Sequence, residues 1–492
     1  MTGNEIDKNL TRSLSHGGAW MIILHSGEKV LNLIKLIILA HILTPFDFGI
    51  VAVALVLSSA LDAFSQTGFA EAIIQKKEKD RAYSDCAWSV LLIRGITLAA
   101  IMFALSGITA QIFKIPSAAN ISKLLALCFA LQAFTNIGVV HLLKDLSYKK
   151  YFAFSTLAAI GEFIVSIAAA IILRNAMALV LGMLARDFLK LIISYMISPY
   201  RPHFKLNILR IRELAGFGKW MLGSSIFGFA ITQIDSIMVA RFLGASAIGS
   251  YQMAQKISNV PSTEITHIIN QLTLPVYSKI QDNKLRLKKA YLKVLGLCSF
   301  FIFFLAGLIM LMGEDFINIF LGKKWNSLSS ILIIMAVAGL VRAIAATAGA
   351  IFQAIGKPKI DTFWQSIRLF TIATLIYPFA CWWGTLGAAL ALLASTIISG
   401  LGACCAVTRA IACGGKDFVR AIFAGFFSAT ISVLTVYILK QHIAHSGMIG
   451  FFSFFTVFTV AYLICTLLID RWLNYDLLNI FKEIRTQFMP EN

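Results

Sequence analysis

The sequence predicts an all-α integral membrane protein of about 14 transmembrane helices, and three observations lead to this fold class. Of its 492 residues, 58% are hydrophobic and only 14% are charged, which leaves too little polar surface to cover a soluble globule. Apolar runs of about 20 residues, the length that a helix needs to cross the hydrocarbon core, recur from end to end. Lys and Arg concentrate in every second connection, as they do in cytoplasmic loops.

The apolar runs place the spans in order along the chain. The first six lie near residues 17–44, 48–70, 84–110, 118–143, 151–173 and 176–197. The other eight lie near residues 214–242, 247–276, 290–312, 326–352, 360–381, 384–408, 418–440 and 448–470. The first run is too long for a signal-peptide core and has no small-residue cleavage site, so we expect it to remain as a span. The eighth run is the least hydrophobic, but the basic connections around the seventh and eighth require an even number of crossings there.

The positive charge of the chain fits a membrane surface better than a nucleic acid. The net charge is +19, but Lys and Arg lie in short clusters between apolar runs, where they can face anionic membrane lipids. We therefore expect no nucleic-acid partner. With the basic connections inside, both termini are cytoplasmic. The eight cysteines show no CxxC pair and no His partner at ligand spacing, so they are interpreted as small apolar residues and no metal site is expected.

The chain matches itself when it is displaced by 200 residues. Trp20 then pairs with Trp220 and Gly49 with Gly249, and no gap is needed. Both halves start on the same side, so the repeat is parallel, and it predicts two six-helix lobes related by a pseudo-two-fold axis along the membrane normal. Such lobes can rock about a central site, which is a transporter architecture.

This repeat divides the chain into four parts. They are an N-terminal lobe at 1–198, a basic cytoplasmic linker at 199–213, a C-terminal lobe at 214–410, and two further helices with a cytoplasmic tail at 411–492.

Polar residues of the eighth span follow one helical face. They are separated by steps of three and four, which places them on one side of a helix: Gln252, Lys256, Asn259, Thr263, His267 and Asn270. This face is interpreted as a cavity wall for a sugar-bearing substrate. A helix buried against other polar helices remains the alternative.

Charged residues at membrane depth are costly and usually face a cavity, so they are the candidate site residues. The cations suited to an anionic substrate group are Lys29, Lys35, Arg94, Lys256 and Arg342. The acids that could bind a coupling proton or sodium ion, or neutralise a neighbouring cation, are Glu28, Asp62, Asp235 and Glu264. Arg186, Asp187 and Lys190 lie near a predicted cytoplasmic end, where snorkelling accounts for them. No phosphate-binding loop and no HExxH motif is present, so we expect neither an enzyme nor a bound cofactor.

Several segments resemble the polysaccharide transporter family of the multidrug/oligosaccharidyl-lipid/polysaccharide superfamily. The similar segments are Leu39–Gly49 (LAHILTPFDFG), Gly68–Lys77 (GFAEAIIQKK), Leu274–Gln281 (LPVYSKIQ) and Gly322–Asn326 (GKKWN). The likeness is greatest to the colanic-acid exporter branch of Wzx-type flippases. It implies a twelve-helix core and an undecaprenyl-diphosphate-linked oligosaccharide repeat unit, flipped across the bacterial inner membrane by alternating access. It also implies that the product is a surface polysaccharide or exopolysaccharide. Polymerase and co-polymerase proteins are candidate partners, and the sequence does not show whether they bind directly.

Two other functions remain open at this stage. A cation-coupled drug exporter of the same superfamily would favour an apolar, acidic cavity, which the Lys-bearing eighth span argues against. A membrane glycosyl polymerase or ligase would need a large external loop with catalytic residues, and the predicted external connections are short.

Overall fold

The fold is built from α-helices. A computed structural model describes residues 27–75, 81–145, 147–442 and 447–473, except for the side chains at 214–219, 260–272 and a few single positions. Throughout these ranges the regular structure is helical and contains no β-strand. The predicted all-α fold class is therefore confirmed.

The helices follow one another with short connections. The first ten are α1 (27–42), α2 (Pro45–Phe64), α3 (Phe69–Gln75), α4 (Arg81–Phe113), α5 (Ala118–Ala133), α6 (Gly138–Lys144), α7 (Tyr148–Leu173), α8 (Met177–Ile197), α9 (Ile208–Leu243) and α10 (Ala245–Ile280). The others are α11 (Lys284–Phe316), α12 (Ser329–Ala354), α13 (Pro358–Ala410), α14 (Gly415–His442) and α15 (Met448–Leu473). A π-helical turn (Ile317–Leu321) and a 3-10 turn (Lys323–Leu328) join α11 to α12.

Nine helical segments of the described chain are long and apolar enough to cross a membrane, which makes the chain a multi-pass membrane protein. One of them, α13, contains 53 residues and coincides with two predicted spans. Gly384 separates these two spans, since its φ of 59° and ψ of −136° interrupt the helix with a backbone conformation that glycine adopts readily. α8 and α10 are not among the nine, because α8 carries three charged residues and α10 carries the polar face.

The first helices begin and end at recognisable caps. Thr44 accepts a hydrogen bond from the Asp47 backbone N–H at 3.3 Å, and Asp47 accepts one from the Thr44 backbone N–H at 2.9 Å. With Pro45 in the first turn, this capping box starts α2. The predicted fourth span, 118–143, is too long, because α5 ends at Ala133 and Asn136 Oδ1 accepts from the Gly138 N–H at 2.8 Å to start α6.

Contacts divide the chain into two compact units, Met1–Gly249 and Ser250–Asn492. In the first unit, α7 pairs with α8, α4 with α5, and α9 with α2. In the second unit, α11 packs against α12, α14 and α15. Two tyrosines in its core have partners for their hydroxyls, since Tyr462 donates to the Phe300 carbonyl at 2.7 Å and Tyr291 lies 3.3 Å from the Thr347 hydroxyl. The predicted division into lobes and linker stays a prediction.

Two glycines that the 200-residue displacement pairs lie where α2 meets the start of α10. A Cβ atom added to Gly49 would lie 1.7 Å from the Ala245 carbonyl oxygen. A Cβ atom added to Gly249 would lie 1.9 Å from the Pro45 carbonyl oxygen. The two backbones touch directly, so only glycine fits at either position.

Candidate functional site

A buried carboxylate lies between two cations in the first unit. Glu162 of α7 is 6% exposed, and its Oε1 lies 2.5 Å from Lys35 Nζ of α1. Its Oε2 lies 3.5 Å from Arg186 Nη1 of α8. The α7–α8 hairpin, which turns at a left-handed Arg174, brings Glu162 beside Arg186. Because these charges compensate one another, the ion pair can persist at membrane depth.

The same helices carry a second polar contact seven residues earlier. The Ser155 hydroxyl of α7 donates to Glu28 Oε1 of α1. Glu28 and Lys35 are seven residues apart, as are Ser155 and Glu162, so α1 and α7 run parallel and side by side over two turns. We call Glu28, Lys35, Ser155, Glu162 and Arg186 the first-unit charge cluster.

Glu28 and Lys35 of this cluster are predicted site residues, and the sequence also offers Glu162 and Arg186 as charged residues within predicted spans, without a specific role. Arg186 was attributed to snorkelling because it lies near a predicted helix end, and the structure gives it a buried partner in Glu162. Next to it, Asp187 Oδ2 accepts a hydrogen bond from Gln132 Nε2 at 3.0 Å. A signal for these residues was available in the sequence, since α7 and α8 carry ionisable residues within apolar runs. Lys29 is exposed beside the cluster.

Arg94 of α4 binds the C-terminal end of α2. Its Nη2 lies 2.5 Å from Asp62 Oδ1 and 3.1 Å from the Asp62 carbonyl oxygen, and its Nε donates to the Ser65 carbonyl at 2.8 Å. Carbonyls of a last helical turn lack intrahelical partners and carry negative partial charge, so a guanidinium stabilises them. This contact gives Arg94 and Asp62 a structural role, and their predicted transport roles stay predictions.

Arg94→Gln is therefore expected to destabilise the protein more than Asp62→Asn does. The Gln variant loses the four hydrogen bonds that Arg94 makes to Asp62 and Ser65 at the end of α2, and we expect a cost of about 1 to 2 kcal/mol. The Asp62 side chain is 58% exposed, so Asp62→Asn is expected to cost well under about 1 kcal/mol. Thermal unfolding of the purified variants checks the order, and equal losses would mean that the ion pair alone matters.

In the second unit, the polar face of α10 meets a cation of α12. Arg342 Nη2 donates to Asn259 Oδ1. Lys256, one turn before Asn259, is exposed, and Gln252 is half-buried. The structure thus places one predicted cation, Arg342, against one residue of the predicted polar face. The predicted residues Thr263, Glu264, His267 and Asn270 lie outside the described side chains.

Asp235, the last of the predicted acids, is buried in the first unit. It is 2% exposed on α9, and its Oδ1 lies 2.7 Å from the Ser236 backbone nitrogen. In the described residues no group of His, Cys, Asp and Glu has the geometry of a metal site. Of the predicted site residues, the structure thus places Lys35 beside Glu162, Arg94 beside Asp62, and Arg342 beside Asn259.

Comparison with known proteins places this fold in a family. A family model described as "Polysaccharide biosynthesis protein" matches residues 38–330, more than half of the chain. The chain belongs to this family. The matched residues include Asp62, Arg94, Asp235 and Lys256. Of the first-unit charge cluster, Ser155, Glu162 and Arg186 lie within the match, and Glu28 and Lys35 precede it. The resemblance found in the sequence is thereby confirmed.

Relatives in the family are named for polysaccharide synthesis and transport. The chain is 27% identical to the lipopolysaccharide biosynthesis protein WzxC of Escherichia coli (strain K12), over 78% of each chain. It is 22% identical to the succinoglycan biosynthesis transport protein ExoT of Rhizobium meliloti (strain 1021), over 75% of this chain and 74% of ExoT. Among solved structures, the lipid II flippase MurJ in an inward closed conformation matches 92% of this chain and 98% of its own, with a TM-score of 0.75 and 14% identity. The membrane fold of this family member is therefore that of a known transporter.

Proposed function

We propose that the protein flips a lipid-linked oligosaccharide repeat unit, carried on an undecaprenyl-diphosphate-type lipid, from the cytoplasmic to the outer leaflet. Family membership, the names of the relatives and the fold similarity to a lipid II flippase support this proposal. The observation that carries it is the pairing of a membrane-depth arginine, Arg342, with the polar face of α10. In this role the chain is a transporter and not an enzyme.

The proposed substrate explains why cations and amides occur together on α10 and α12. A diphosphate is an anion that must leave water, and a guanidinium can bind its oxygens in a bidentate manner. Arg342 and Lys256 would neutralise this group, while Asn259 and Gln252 would donate to and accept from sugar hydroxyls. Arg342 and Lys256 would repel a small cationic drug, so these two cations argue against the drug-exporter alternative.

Alternating access needs an energy source, and we propose coupling to H⁺ or Na⁺ without any other cofactor. Glu28 and Asp235 fit this role because each is an acid at membrane depth that is half-buried or buried. Asp62 fits less well, because Arg94 already neutralises it. Glu264 remains a proposal from the sequence.

We further propose that the protein lies in the bacterial inner membrane with both termini in the cytoplasm. The basic connections after α3, α6 and α8 support this orientation, since they share one side in the predicted topology. The structure brings residues from the edges of these connections together, with Arg81, His141 and Arg201 around one cavity. Polymerase and co-polymerase proteins, which would use the flipped repeat unit, are the proposed partners.

Depletion of this protein is expected to trap lipid-linked repeat units on the cytoplasmic side. The test labels their sugars in whole cells with a reagent that does not cross the inner membrane. The wild-type gene should restore labelling. Repeat units that stay labelled but unpolymerised in depleted cells would assign the protein to a step after translocation, as the polymerase or ligase alternative requires.

The same assay tests the second-unit cations directly. Lys256→Gln/Arg342→Gln should reach wild-type protein levels but fail to restore labelling, because the anionic group loses both cations. Lys357→Gln/Lys359→Gln is the matched control, since it removes the same charge at two exposed positions around the start of α13. If both double variants restore labelling of the repeat units, Lys256 and Arg342 do not have the proposed role in binding the anionic group.

A further inference from the structure

A cavity of about 270 Å³ lies in the first unit, and none of its lining residues belongs to the first-unit charge cluster. It is lined by Arg81 and Ser84 of α4, His141 of α6, and Pro199, Tyr200 and Arg201 of the connection that follows α8. The cavity therefore has two arginines, a serine hydroxyl and an imidazole among its six lining residues. A water molecule occupies about 30 Å³ in the liquid, so the space suits a group of several heavy atoms.

Hydrogen bonds hold the connection after α8, which supplies Pro199, Tyr200 and Arg201 to the cavity, in place. Asn136 Nδ2 donates to the Tyr200 carbonyl at 2.7 Å. The backbone N–H of His203 donates to Asp85 at 3.1 Å, and that of Lys205 donates to the Ser89 hydroxyl at 2.8 Å. The extended connection is thus held along the first two turns of α4, and the cavity is a preformed feature.

Both arginines keep donors available for a ligand. Arg81 Nη2 lies 3.4 Å from the Arg201 carbonyl oxygen, and its guanidinium lies 5.8 Å from the centre of the Tyr200 ring. Arg201 Nη1 donates to the carbonyls of Ser198 at 2.6 Å and Tyr200 at 3.1 Å. A guanidinium has five N–H donors. Within the described part of the chain neither arginine pairs with a carboxylate, so most of these donors have no protein acceptor there.

Asp85 is the acid next to the cavity, and its Oδ1 is already engaged. It is 2% exposed, and it accepts hydrogen bonds from the Tyr200 hydroxyl and the His203 N–H. Burial and the hydrogen bond to Asp85 raise the pKa of Tyr200, so this hydroxyl remains a donor. Asp85 offsets one positive charge, and the two arginines leave a cationic cavity. Ser84 and His141, 3.0 Å apart, add polar atoms to it.

The position of the cavity points to the lipid headgroups. α4 has 33 residues and is about 50 Å long, whereas the hydrocarbon core is about 30 Å thick. Arg81 precedes the apolar run, which begins near residue 84, so we expect the first turn of α4 to lie in the headgroup layer with the lipid phosphates. We propose that this cavity binds the phosphate group of an anionic membrane lipid, with Arg81 and Arg201 as its ligands. None of its lining residues is among the proposed transport residues.

The test is native mass spectrometry of the full-length protein in a non-ionic detergent. The probes are phosphatidylglycerol, phosphatidylcholine with the same acyl chains, and inorganic phosphate as competitor. Arg81→Gln/Arg201→Gln is expected to weaken phosphatidylglycerol binding by about tenfold or more, from the usual contribution of two cations near a membrane surface. Binding of phosphatidylcholine, which has no net charge, should change by less than about twofold.

The matched control is Lys149→Gln/Lys150→Gln, which removes the same charge at two exposed positions at the start of α7. It should bind phosphatidylglycerol as the wild type does. Arg81→Lys/Arg201→Lys keeps the charge without the bidentate geometry and should give intermediate binding even if the Gln variant folds poorly. Equal weakening in the Lys149/Lys150 control, or full binding by the Gln variant, would overturn the site. Displacement of the lipid by equimolar inorganic phosphate would overturn the lipid assignment.

Discussion

Replacing Gly49 or Gly249 by alanine is expected to remove most of the folded protein from the membrane. Each added Cβ would fall within 2 Å of a backbone carbonyl oxygen of the facing helix, at Ala245 or Pro45. A backbone atom cannot rotate away as a side chain can, so α2 and α10 would have to separate. Overpacking costs about 1 to 3 kcal/mol where side chains can move, and we expect about 3 kcal/mol or more here.

The measurement is the fraction of monodisperse protein in detergent, together with its unfolding temperature. Gly107→Ala is the matched control, because Gly107 also lies inside a helix, α4, and a Cβ there meets nothing within 4 Å. This control should be neutral or gain up to about 1 kcal/mol, since alanine favours helix more than glycine does. An unfolding temperature of Gly49→Ala equal to that of the wild type would show that α2 and α10 do not touch at these positions.

The 200-residue displacement shows how far sequence reasoning reaches. It matched Gly49 with Gly249 and so marked both positions, but a match between segments carries no distance. The structure supplies the missing reason for glycine, which is contact between backbones. Hydropathy likewise locates the apolar runs but does not show where the chain turns within them. It extended the fourth span past Ala133, because the apolar composition continues into α6 while the chain turns at Asn136.

The charged residues also show that the sequence gives the position of a residue on its own helix but not its partner on another helix. The seven-residue spacing of Glu28 and Lys35 placed both on one face of α1, and this could be read from the sequence. Their partners, Ser155 and Glu162, lie 127 residues away in each case. Periodicity describes one helix at a time, so it does not identify which helix lies opposite. For the same reason the sequence does not identify Asp62 and the Ser65 carbonyl as the partners of Arg94, whose role as a substrate cation stays a prediction.

The second large effect is expected at the Lys35–Glu162 pair. Glu162→Met would leave Lys35, whose side chain is 16% exposed, without its carboxylate, and the cost should be about 3 kcal/mol or more. Lys35→Met should cost less, because Glu162 keeps Arg186 at 3.5 Å. The double variant Lys35→Met/Glu162→Met should unfold within about 1 kcal/mol of the wild type, since apolar side chains often replace a buried ion pair at little cost. Unfolding temperatures of the three purified variants check this order.

Because the Lys35→Met/Glu162→Met variant is expected to fold, it can show whether Lys35 only stabilises the protein or also takes part in transport. If Lys35 binds the anionic substrate, the double variant should fold and still fail to expose repeat units in the sidedness assay. Lys440→Met/Asp315→Met is the matched control, because it removes another ion pair, in the second unit, whose side chains are 23% and 40% exposed. That control should keep transport. A folded Lys35→Met/Glu162→Met variant with wild-type transport would make the pair structural and leave Arg342 and Lys256 as the proposed substrate cations.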